Sequence, residues 1–302
     1  MQIFDYHDKK LILLGDLHGE FSKLSYFFKN INAIIKDDED AMLNFTNACF
    51  VVCGDCGFGF HKPKYYEDIL NKLQKIIEPQ NNILIFVRGN HDDPSYFNTD
   101  NYGFNFSNIK FSNDYSVLLT ENSTSLCIGG AVSVDRSWRK NHNSYLNRFT
   151  QKPKSIIYWD DEPVKKDESF IEDLRNSNIK VDSIISHTFP MSLTDTGSEY
   201  TNNDWLDADA ELLNDITAEW DYLTKIYNRL NDETNIKWWV FGHYHRPMAK
   251  FNTTFNIDAQ VIGLNTFNHF NQDWGYYSIN SGLTKDPSTI DEDAFGDEDD
   301  LL

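Results

Sequence analysis

The chain is predicted to adopt an α/β fold, and three observations predict it. Short continuous apolar runs, such as Leu11-Ile12-Leu13-Leu14, Phe50-Val51-Val52 and Trp238-Trp239-Val240-Phe241, read as strands of a sheet buried on both faces. Segments with apolar residues at helical spacing alternate with them. Five of the runs stop abruptly in polar residues that can hold an ion or a phosphate, and in open α/β sheets ligands bind outside the carboxyl ends of the strands.

Residues 1–9 read as a lead-in strand or hairpin arm. The first strand, over 10–15, ends in Gly15-Asp16-Leu17-His18-Gly19. A helix follows from 20 to about 36, with Phe21, Leu24, Phe27 or Phe28, Ile31 and Ile35 near one stripe, and Asp37-Asp38-Glu39-Asp40 is a loop. The second strand, 48–53, ends in Gly54-Asp55-Cys56-Gly57. A second helix over 65–78 is closed by Pro79. The third strand, 82–87, ends in Arg88-Gly89-Asn90-His91-Asp92.

From about 101 to 135, short alternating runs separated by Asn and Gly predict antiparallel strands and hairpins. Residues 137–165 are polar, include Pro153 and Pro163, and read as irregular. A third helix is expected over 167–177 and a fourth strand over 181–185, ending in Ser186-His187. Residues 191–204 read as a loop. The longest helix is expected over 206–231, with Leu206, Ala210, Leu213, Trp220, Leu223, Tyr227 and Leu230 on one face. The fifth strand, 238–241, ends in Gly242-His243-Tyr244-His245, and 250–281 read as closing antiparallel strands. No repeat or linker interrupts the chain, so one domain is expected over 1–283, followed by an acidic, disordered tail over 284–302.

Composition narrows the function. Of 302 residues, 40% are hydrophobic, enough for a large core. No run of about 18 apolar residues is present, so no membrane span is predicted. The first residues lack the basic and apolar regions of a secretory leader. Cys49, Cys53, Cys56 and Cys127 lie in or beside apolar runs and are too few and too clustered for a disulfide framework, which predicts a reduced, cytoplasmic protein. A net charge of −20 argues against long nucleic acid and anionic membranes as partners. The Cys53-x-x-Cys56 spacing allows redox or zinc chemistry, but Cys53 falls in a predicted buried strand and no second pair exists.

The five strand ends hold a coherent donor set. Five of the nine histidines lie there. If the strands share a sheet, Asp16, His18, Asp55, Asn90, His187, His243 and His245 converge on one edge. Imidazole with carboxylate suits zinc, iron or manganese, whereas calcium prefers oxygen alone. Seven donors exceed the roughly four of a tetrahedral ion. Two ions about 3.5–4 Å apart, bridged by one carboxylate, suit the set better.

These blocks resemble, in content and in order over residues 15–245, the calcineurin-like metallophosphoesterases. The resemblance implies a two-sheet sandwich flanked by helices, with a dimetal site at the strand ends. It implies that Asp16, His18 and His245 hold one metal, that Asn90, His187 and His243 hold the other, and that Asp55 bridges. It also implies that His91 contacts the phosphate and helps the leaving group; Asp92, the next residue, is a candidate to orient it. Two divalent ions (manganese, iron or zinc) would then activate a hydroxide for in-line attack on a phosphate ester. The Asp-Arg-Gly continuation and the final Glu of the protein Ser/Thr phosphatase branch are absent. The general branch is therefore indicated, and Arg136 and Arg139 become candidate phosphate contacts. Two other readings stay open: a phosphodiesterase or nuclease acting on nucleotides, and a catalytically silent metal-binding scaffold.

Overall fold

The computed structural model describes residues 1–34, 46–98, 101–149, 156–190, 203–245, 248–251, 259–264, 266 and 276–278. Two β-sheets face one another. One holds β2 (Lys10–Leu14), β3 (Ala48–Val52), β4 (Ile83–Phe86) and β5 (Ile109–Phe111) in parallel, with β12 (Tyr276–Ser278) antiparallel beside β2. The other runs in the order β1 (Ile3–Tyr6), β6 (Ser116–Thr120), β7 (Thr124–Ile128), β8 (Ser183–Ser186), β9 (Trp238–Phe241), β11 (Gln260–Gly263) and β10 (Met248–Phe251).

Strand alternation explains why the runs are apolar throughout. Leu11, Leu13, Cys49, Val51, Ile83 and Ile85 point into the layer between the sheets, where they meet Leu118, Cys127, Ile185, Trp238, Val240 and Ile262. Their neighbours Ile12, Leu14, Phe50, Val52, Leu84 and Phe86 point the other way, onto α1 (Phe21–Ile34) and α2 (Pro63–Ile77). On the outer face of the second sheet, Ile184, Trp239 and Phe241 pack with α4 (Ser169–Asn176) and α6 (Leu212–Thr234). The central strands of both sheets are thus buried on both faces, as the period of two requires.

Local chemistry sets the helix limits. Pro63 opens α2, where its missing N–H costs nothing, and Tyr66, Leu70, Leu73 and Ile77 form the buried stripe. A 3-10 turn over Glu78–Gln80, containing Pro79, ends it.

The architecture corrects several sequence expectations. The five ligand-bearing strands do not share one sheet, because β2, β3 and β4 lie in the first and β8 and β9 in the second. Residues 116–128 form the expected antiparallel hairpin, but β5 joins β4 in parallel, and three residues are too few to carry a readable orientation. Likewise β10 and β11 pair antiparallel, while β11 joins β9 in parallel.

Part of the segment read as irregular is a helix, α3 (Arg136–Phe149). Among its described side chains, those it buries are Arg136 and Arg139, so this part of the inward face carries guanidinium groups. The longest helix is also broken. α5 (Asn203–Ala208) precedes α6, and Asp209 interrupts them by accepting the Leu212 N–H on its carbonyl and the Glu211 N–H on its side chain. Leu213 is consequently exposed, while Leu212 and Ile216 are buried. The acidic loop at 37–40, residues 191–202 and the tail at 284–302 lie outside the described residues.

Candidate metal centre

The strand ends are level within each sheet. Leu14 is paired with Val52 and Val52 with Phe86 in the first, and Ser186 with Phe241 in the second. The loops leaving these ends are stitched together. His18 N–H donates to the Asp55 carbonyl at 2.6 Å and Gly19 N–H to Cys56 at 3.0 Å. Across the gap between the sheets, the His243 N–H donates to the Asp16 carboxylate at 2.9 and 3.1 Å.

Close approach sets the glycine at one of these junctions. A Cβ on Gly242 would lie 2.0 Å from Asp16 Oδ1, so only glycine lets the loop after β9 reach that carboxylate. Four of the donor residues themselves have left-handed backbones: His18 (φ 48°), Asp55 (45°), His243 (69°) and His245 (49°). For residues with a Cβ each such turn costs about 1–3 kcal/mol, and it is kept where the surroundings over-determine it, typically at functional sites.

The donors form two adjoining groups. Asp16, His18, Asp55 and His245 each bring one ligand atom, all within 4.8 Å of one another. Within this group His245 Nε2 is 3.1 Å from Asp16 Oδ2 and 3.0 Å from His18 Nε2. In the second group His187 Nε2 is 2.8 Å from Asn90 Oδ1 and 3.2 Å from Asp55 Oδ1. The His243 ring lies 4.9 Å from that of His187, centroid to centroid. Asp55 stands between the groups, with Oδ1 toward His187 and Oδ2 3.9 Å from His18 Nδ1.

Ligands of one first-row ion, bound at about 2.0–2.1 Å, lie about 3 Å apart, so the pairwise spacings and the nitrogen–oxygen chemistry both fit divalent cations. The first group opens outward, with His245 41% exposed at the side chain, whereas Asn90, Asp55 and His187 are buried.

Electrostatics agree with a charged-ligand site. Burial opposes ionisation of Asp55, but His187 and His91 outweigh it and hold the carboxyl well below its usual range. Burial likewise opposes charge on His187, yet Asp55 and Asp16 raise it to about 9. Burial, reinforced by His187, keeps His243 well below the usual imidazole range and therefore neutral, the form that binds metal. His91 stands beside the site. Its N–H donates to Asp55 Oδ1 at 2.8 Å, and its ring is 5.8 Å from that of His18. Burial lowers its pKa, partly opposed by Asp55.

Three expected roles are corrected by contacts. Asp92 is buried and accepts the N–H groups of Cys56 (3.0 Å), Gly57 (2.7 Å), Phe58 (2.9 Å) and Gly89 (2.8 Å). With its lone pairs filled, it clamps two ligand loops together and does not orient His91. Arg136 is committed to Asp209 and Asp215, both at 2.6 Å. Arg139 is buried and pairs with Asp135 and Glu162, so both guanidiniums are already committed to carboxylates of the chain.

Four residues went unread in the sequence. Ser133 and Glu162 carry no motif and touch the site only through Asn90 and Arg139. Glu219, on α6, accepts the N–H groups of Val132 and Val164. Tyr244, inside the last motif, donates to the Phe189 carbonyl at 2.7 Å and accepts from Trp220 Nε1 at 3.2 Å.

The sequence matches the calcineurin-like phosphoesterase family over residues 9–247. No curated protein sequence matches it. One solved structure, 13% identical, aligns over 92% of this chain and 98% of its own with a TM-score of 0.51, a likeness of fold. A cold-active protein-tyrosine phosphatase of the psychrophile Shewanella sp. is 14% identical over 87% of this chain and 73% of its own, with a TM-score of 0.34. Another structure of a cold-active protein tyrosine phosphatase is 13% identical over 86% and 72%, with a TM-score of 0.31.

Proposed function

The chain belongs to the calcineurin-like phosphoesterase family, and from that premise we propose that it is a metal-dependent hydrolase of a phosphate ester. The observation that carries the proposal is the convergence of five strand ends, drawn from two sheets, on one cluster of imidazole, amide and carboxylate donors. Asp16, His18 and His245 would hold one divalent ion, Asn90, His187 and His243 a second, and Asp55 would serve both. Bound there, such ions supply Lewis acidity, lower the pKa of water and neutralise phosphate charge.

The chain's own groups do the rest. Asp55 and Asp16 supply the negative charge that holds cations in a buried setting. Neutral His243 adds a nitrogen lone pair without a proton to displace. His91, beside the open group, hydrogen-bonds the phosphate through its ring N–H and, in its protonated form, would give a proton to the leaving oxygen. Asp92 fixes the loops on which Asp55 and Asn90 ride. Manganese, iron and zinc all suit the donors.

Activity should be followed on chromogenic phosphate mono- and diesters. It should vanish in EDTA, return with manganese, and fall at least about 100-fold in Asp55→Asn. Full turnover in chelator, or wild-type turnover by Asp55→Asn, would overturn the assignment.

A further inference from the structure

We propose that Ser133, Arg139 and Glu162 are positioning residues that lock the side-chain amide of Asn90 with its oxygen toward the metal centre. The inference rests on the assignment of Asn90 as a ligand of the second ion. It starts from an ambiguity in that ligand. An asparagine amide has nearly the same shape either way round, yet one orientation offers an oxygen to a cation and the other an N–H₂ that repels it. Something must decide between them.

The deciding contact is Ser133. Asn90 Nδ2 is 2.7 Å from Ser133 Oγ, while Asn90 Oδ1 is 2.8 Å from His187 Nε2. Ser133 Oγ is an acceptor on both sides. It takes a hydrogen from Arg139 Nη2, and a guanidinium can only donate. Glu162 holds the same Nη2 and so keeps the guanidinium against Ser133. The second lone pair of Ser133 Oγ takes the Asn90 N–H₂, which leaves the amide oxygen on the metal side. The reverse orientation would turn the N–H₂ toward the cations.

The remaining contacts hold this sorting in place. Glu162 accepts the Ser133 N–H at 3.0 Å and Arg139 Nη2 at 2.8 Å. Arg139 Nη1 donates to the Asn90 carbonyl at 3.5 Å and to Ile157 at 3.0 Å. All four side chains are buried, between 0% and 2% exposed, so water cannot substitute for a lost partner. Hydrogen-bonding partners behind metal ligands typically govern affinity by about 10–100-fold.

The test counts bound metal as well as rate. Full-length, manganese-loaded protein is dialysed against graded chelator, and retained ions are counted by mass spectrometry, with circular dichroism reporting the fold. Wild type should retain two ions. Ser133→Ala should lose one of them at about 10–100-fold higher free manganese than wild type, and Ser133→Thr, which keeps the hydroxyl, should restore it. Glu162→Gln removes the carboxylate charge that holds Arg139 against Ser133 and should weaken the same ion, and it carries the test if Ser133→Ala fails to fold.

Two ions in wild type, with folded Ser133→Ala and Glu162→Gln retaining both as wild type does, would overturn the positioning role and leave the metal assignment standing. Retention of fewer than two ions by wild type would overturn the metal assignment and the inference with it.

Discussion

Asp92 shows how much a single buried carboxylate decides. Read in the sequence beside His91, it looks like a catalytic partner. In the fold it is an anion with no cation against it, satisfied by four backbone N–H groups from the loops after β3 and β4. Those loops carry Asp55 and Asn90, so Asp92 sets the distance between two proposed ligands without touching either ion. Replacing it by asparagine exchanges one accepting oxygen for a donor and leaves two N–H groups facing it unpaired. Asp92→Asn should cost about 2–4 kcal/mol, read from urea unfolding. An unfolding midpoint equal to wild type would contradict the clamp.

At the scale of elements, the functional loops are held by the helices behind them. Tyr244 sits between His243 and His245, and its phenol ties their loop to the Phe189 carbonyl, to Thr188 and to Trp220 on α6. Tyr244→Phe keeps the ring but strands the Phe189 carbonyl and the Trp220 N–H. A loss of about 1–3 kcal/mol is expected by chemical denaturation, together with weaker metal retention. α1, α2 and α6 were legible because each turns an apolar stripe inward. α3 was not, because it docks through Arg136 and Arg139, whose partners Asp209, Asp215 and Glu162 lie far along the chain. No periodicity in hydropathy records an ion pair. The break at Asp209 is local, a turn closed on its own carbonyl and side chain, and the apolar spacing running across it conceals it.

Over the whole molecule, the two sheets bury ionisable groups whose cost depends on pH. Burial pushes the Glu162 carboxyl from its usual 4.5 up to about 7, although Arg139 pulls the other way. The folded state therefore binds this proton more tightly than the unfolded state. The contribution of Glu162 to stability is fully present below pH 4.5 and is lost as the pH rises through 7. Between those limits wild type should lose on the order of 3 kcal/mol relative to Glu162→Gln, measured by urea unfolding at each pH. Parallel pH profiles for the two proteins would refute the shift.

The sequence by itself determined the strands, because runs such as Leu11–Leu14 and Trp238–Phe241 must be buried on both faces wherever they pack. It also supplied the candidate donors, because Asp16, His18, Asp55, Asn90, His187, His243 and His245 each lie just past an apolar run and are polar where the run stops. Tertiary structure alone decided which strands go to which of the two sheets, so that the loop carrying His243 and His245 reaches Asp16 across a gap between them. It alone turned Asp92, a candidate catalytic group, and Arg136 and Arg139, candidate phosphate contacts, into buried supports. A charged side chain takes its role from what lies within about 3 Å of it, and in this chain those partners are often more than 20 residues away.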